Sequence, residues 1–162
     1  MWRSLSTILP TLAMAAVTCA SDNTVGTWKI NTARSKPSRV PPMTSLTVVR
    51  EATAGGSKTI ATGERGDGTK INSSFTLKYD GKEVPVTDPG TSLWDTVSIQ
   101  QVNANTLVET RTKKGGRYHA TVREVVSNGG KTMTLTTQGT GPDGKPFTAW
   151  WFSTESRRQT LN

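Results

Sequence analysis

The sequence predicts an all-β fold, an antiparallel up-and-down meander of about ten strands closed into a barrel, on three observations. Short turn signals recur along the chain: Gly55-Gly56, Asp67-Gly68, Asp80-Gly81, Asp88-Pro89-Gly90, Asn103-Ala104-Asn105, Gly115-Gly116, Asn128-Gly129-Gly130 and Asp143-Gly144. Glycine and asparagine accept the positive φ that tight hairpin turns require, so these stretches mark reversals of the chain. Between them the residues alternate with a period of two. Ile71, Ser73, Phe75, Leu77 and Tyr79 share one face, opposite Lys70, Asn72, Ser74, Thr76 and Lys78. The third observation is the segment Val25-Gly26-Thr27-Trp28-Lys29-Ile30-Asn31. It sets a glycine where a first strand must bend across a barrel end, with a flat aromatic just after it to plug that end.

The first strand is expected near residues 25–31. Residues 32–43 contain Pro37, Pro41 and Pro42 and form the one long connection, with a brief turn of helix near Thr32 to Ser35 and then an extended run. The remaining strands are expected near 44–52, 57–65, 69–79, 82–87, 93–102, 106–113, 117–127, 131–140 and 146–155. Tyr118, Ala120 and Val122 alternate with Arg117, His119, Thr121 and Arg123, and Met133 and Leu135 with Thr132, Thr134 and Thr136. The many threonines favour strand over helix, because a branched β-carbon suits a pleated surface. No helix of three turns is expected after residue 20. Nearly every link is a short hairpin, so sequential strands should be neighbours, and a meander of this length removes its exposed edges by closing on itself. A two-sheet sandwich would require longer crossovers than most of these links allow.

Residues 1–20 are expected to be a signal peptide. Arg3 supplies the positive charge, Ile8 to Val17 the apolar stretch, and Thr18-Cys19-Ala20 the small residues before polar Ser21-Asp22-Asn23. The stretch is too short and interrupted to span a membrane, and Pro10 argues against a packed helix. Residues 21–162 then form a single barrel domain, exported to the periplasm or secreted. Cys19 is the sole cysteine, so a chain cut after Ala20 has no disulfide. Ala16-Val17-Thr18-Cys19 also loosely resembles a bacterial lipobox, which makes Cys19 a lipidation candidate and the only route expected for membrane contact.

The Gly26-Thr27-Trp28 on the first strand resembles the signature of the calycin group, the lipocalins and fatty-acid-binding proteins. The longer opening Gly26-Thr27-Trp28-Lys29-Ile30-Asn31, with Ser35-Lys36 soon after, is also similar to small exported bacterial proteins described only as lipocalin-like. The resemblance implies a calycin-like barrel in which Trp28 packs at the closed end under a basic side chain from the end of the last strand, here Arg157 or Arg158. Departures are equally specific. The chain has no second or third lipocalin motif, no disulfide pair, no long helix after the barrel and no helix-turn-helix lid between the first two strands.

Catalytic motifs are missing. His119 is the single histidine, no Gly-x-Ser-x-Gly occurs, and no His or Cys pair stands at ligand spacing, so neither a metal nor another cofactor is expected. His119 reads as solvated or barrel-lining, although with Glu109 or Glu124 it is the one nucleus an exported enzyme could use. Asp67, Asp80, Asp88 and Asp143 read as turn residues that bond local backbone. Adjacent residues of a strand face opposite ways, so one of Trp150 and Trp151 points inward, and periodicity does not say which.

The 20 Lys and Arg against 12 Asp and Glu give a net charge of +8, which favours anionic surfaces. The basic residues are spread over many turns with no aromatic platform or helix to concentrate them, so nucleic-acid binding is not expected. The leading expectation is a non-enzymatic, monomeric binding protein for a small apolar or amphipathic ligand, with an acidic head group allowed by the cationic residues. Phe75, Tyr79, Tyr118, Val122, Trp150 and Trp151 are the candidates to line the barrel. The alternative is an envelope surface module with a filled barrel, whose basic exterior meets anionic lipid, polysaccharide or a protein partner.

Overall fold

A computed structural model describes residues 21–36, 42–89, 92–127 and 129–157, the last by its backbone alone. The expected signal peptide, Cys19, Arg158 and the side chain of Arg157 lie outside the described residues. Ten strands follow one another: β1 (Gly26–Ile30), β2 (Met43–Thr53), β3 (Gly56–Arg65), β4 (Lys70–Lys78), β5 (Val84–Pro85), β6 (Thr96–Asn103), β7 (Thr106–Thr112), β8 (His119–Val126), β9 (Thr132–Thr140) and β10 (Pro146–Arg157). The brief helical turn expected after the first strand is a 3-10 turn at Thr32–Arg34, whose Asn31 side chain accepts from the Arg34 amide at 3.1 Å.

All pairings are antiparallel, in the order β4-β3-β2-β1-β10-β9-β8-β7-β6-β5. Hairpins join sequence neighbours, and β1 pairs with β10, so one ladder runs from β4 round to β5. The barrel is nearly closed, with a seam between β4 and the β5–β6 edge. Two backbone bonds between Ser74 and Thr87, at 3.3 and 2.7 Å, and one from Gly81 to the Ile99 carbonyl at 3.1 Å cross it. Side chains complete the crossing: Phe75 and Leu77 of β4 pack in one cluster with Val86, Val97, Ile99 and Leu107. Burying these groups contributes on the order of 1.5–3 kcal/mol for each large side chain, offset by ordering entropy.

The two ends of the barrel differ. At one end the segment before β1 straps across the base, where the Asn23 amide donates to the Ala104 carbonyl at 2.8 Å and the Gln101 side chain to the Ser21 carbonyl at 3.1 Å. Asp22 accepts from the Tyr79 hydroxyl at 2.5 Å and from the Thr24 amide at 2.8 Å. Gly26, at φ 146°, turns the chain from strap to strand, a conformation L side chains rarely adopt. Trp28 then faces inward, 2% exposed, packed with Val126 and Met133, and its indole donates to the Thr24 carbonyl at 2.8 Å. Its ring stands at the strapped end, as a plug does. The opposite end carries the β3–β4, β7–β8 and β9–β10 hairpins and the described ends of the link between β5 and β6, residues 86–89 and 92–95.

Candidate functional site

Between the plug and the opposite end lies a partly open cavity of about 160 Å³. Alternation on the strands builds it. On β10, Phe147, Ala149, Trp151 and Ser153 turn inward and line it; on β4, Ile71, Ser73 and Phe75 do so. Leu93 and Trp94, expected on a strand, instead lie just before β6 and add wall rather than ladder. The ring of Trp94 stands edge-on to Phe75 with centroids 5.9 Å apart, and Tyr118 tilts against Phe147 at 5.9 Å. The walls are thus mainly aliphatic and aromatic.

The floor is ionic. Arg50 from β2 donates to Glu124 of β8 at 2.6 and 3.4 Å, to Glu109 of β7 at 3.1 Å, and through Nε to the Thr59 hydroxyl at 3.3 Å. Arg111, two residues along β7, holds the other oxygen of Glu109 at 2.8 and 2.5 Å. Two guanidiniums therefore balance two carboxylates, the arrangement that makes buried charge tolerable. Burial pushes Glu124 up to about 6, against the pull of Arg50 and with the push of Glu109. For Glu109 burial is again the largest influence, but Arg111 and Arg50 outweigh it and hold the carboxyl below its ordinary value.

The candidate lining residues divide. Phe75, Tyr118 and Trp151 line the cavity. Trp150 points outward, 43% exposed, with its backbone paired to Lys36, which settles the orientation of the tryptophan pair. Tyr79 lies outside the cavity because its hydroxyl is tied to the strap at Asp22, and Val122 is fully buried in the wall without bordering the cavity. The last-strand arginine is placed only by backbone, with Arg157 opposite Thr27.

His119 faces outward on β8, its Nδ1 3.4 Å from the Thr112 hydroxyl, whereas Glu109 and Glu124 face inward. The wall separates the imidazole from both carboxylates. Asp67, Asp80 and Asp143 accept from the amide two residues on at 3.0, 3.1 and 3.0 Å, as turn residues do. Among the described residues no group of three or more His, Cys, Asp or Glu gathers to hold a metal ion. Arg50 and Arg111 of the floor are absent from the sequence-based candidates, and Glu109 and Glu124 enter them only as partners of His119. The floor's signal was available, since Glu109 and Arg111 share a face with Leu107, and Glu124 with Ala120, Val122 and Val126.

The fold defines an all-β antiparallel barrel compatible with the calycin architecture. Neither a scan of protein-family models nor a search of curated proteins finds a match to this chain.

Proposed function

We propose that this chain is an exported, non-enzymatic, lipocalin-like binding protein that holds a small apolar or amphipathic ligand in its barrel. The observation that carries this reading is the cavity of about 160 Å³ with aromatic walls, left open above an ionic floor. An apolar cavity of roughly 150 Å³ accommodates a benzene-sized molecule. The ligand portion held inside is therefore about one ring, and a long acyl chain would have to extend through the mouth. Export is supported by the leader pattern of residues 1–20, with Cys19 as the anchor if the chain is lipidated.

Tryptophan fluorescence titration tests the proposal, with a panel of single-ring aromatics, monocyclic terpenoids, fatty acids and lysolipids. Single-ring compounds should give a saturable change that persists at about 1 M salt, where the Debye length is only ~3 Å. A response that collapses in salt, or none from any compound, would transfer the function to the basic exterior as a surface interaction module.

A further inference from the structure

We infer that the barrel takes up an anionic-headed ligand together with one proton, the head resting on the Arg111 guanidinium and the proton on Glu124. This rests on the ligand-binding reading above and adds the chemistry of the head. The four charges of the floor are not equally accessible: the side chains of Arg50, Glu109 and Glu124 are 2%, 1% and 3% exposed, and that of Arg111 is 21% exposed. An incoming ligand therefore meets a cation. Arg111 lies over the Trp94 ring at 4.8 Å, so the charged contact and the aromatic wall are adjacent, as the head and body of a small amphiphile are.

Charge balance supplies the proton. The floor is neutral with two guanidiniums and two carboxylates, and an added anion leaves one uncompensated negative charge in a poorly solvated interior, which is costly. Glu109 is clamped by both arginines, whereas Glu124 has only Arg50 and lies beside the Glu109 charge. Glu124 is thus the carboxylate that yields. The charged groups around it are Arg50 from β2 and Glu109 and Arg111 from β7. Tyr79 stands near Arg50 and Tyr118 near Arg111, and burial pushes both phenols up, so they stay neutral. The neighbouring strand β3 presents Thr59 beside the floor and, six residues further along at its other end, the guanidinium of Arg65, and β9 presents Met133, Leu135 and Thr137, so neither strand adds a further carboxylate or an imidazole to the site.

The sign follows from the titration of Glu124 near 6 in the free protein. A bound anion raises that value further, so above it affinity climbs as pH falls, by at most ~tenfold per pH unit, and levels off once Glu124 is already protonated.

Calorimetry on the full chain tests this with phenylethanesulfonate, which stays ionised, and phenylethanol as its neutral counterpart, in buffers of different ionisation enthalpy. The sulfonate should bind with uptake of about one proton near pH 7, and the alcohol with none. Glu124→Gln should bind the sulfonate with a pH-independent affinity equal to the low-pH limit of the unaltered protein; if that variant does not fold, the buffer series on the unaltered protein decides alone. Sulfonate binding without proton uptake, or binding of the alcohol only, would overturn the inference and leave the cavity reading standing. Binding of neither compound would remove both.

Discussion

Trp28 fills the base of the barrel and, through its indole N–H, holds the strap that covers it. Trp28→Ala should cost about 3–5 kcal/mol, the usual penalty for emptying a large aromatic site. Trp28→Phe keeps most of the ring but strands the Thr24 carbonyl, for about 1–3 kcal/mol. Urea midpoints check both against exposed Lys78→Ala, and a Trp28→Ala midpoint no lower than the Lys78 control would separate the tryptophan from closure. Trp28 was legible in the sequence because a glycine and an aromatic at fixed spacing have a local meaning. Arg50 was not, because a charge turned inward is tolerable only when partners meet it, and those partners lie 59 and 74 residues away on other strands.

Strands were legible to within a few residues wherever turn chemistry bounded them, and the departures cluster at the seam. A strand expected over 82–87 is reduced to Val84–Pro85: Pro85 has no N–H to offer a neighbouring strand, and the pairing with β6 runs on only through the Val86 amide, which donates to the Asp95 carbonyl at 2.8 Å. On the far side, β8 and β9 approach where Gly139 stands opposite Ala120. A β-carbon at Gly139 would lie 2.1 Å from the His119 carbonyl oxygen and 2.6 Å from the Ala120 Cα, so backbone must move to admit it. Gly139→Ala should destabilise by at least about 1–3 kcal/mol, the range for overpacking. Gly129→Ala, which meets nothing within 4 Å, should change the urea midpoint little. Equal midpoints for the two variants would mean that this close strand contact is not required.

Across the whole molecule, the described residues strap the base of the barrel and leave the cavity partly open toward the other end, where the proposed ligand would enter. The alternating pattern made the barrel legible, but not its contents, because hollow volume is the sum of many side chains converging from different strands. Leu93 and Trp94 illustrate this: they carry the apolar character of a strand yet serve as wall. A ligand held as proposed sits between Trp94 and Trp151, and the indole N–H resonances of a nitrogen-15-labelled sample titrated with a single-ring ligand report its place. Trp94 and Trp151 line the cavity and should shift in a saturable way, whereas Trp150, on the outer face of the same strand, should stay in place. Saturable movement of Trp150 with Trp94 and Trp151 unchanged would put the ligand on the exterior and refute binding inside the barrel.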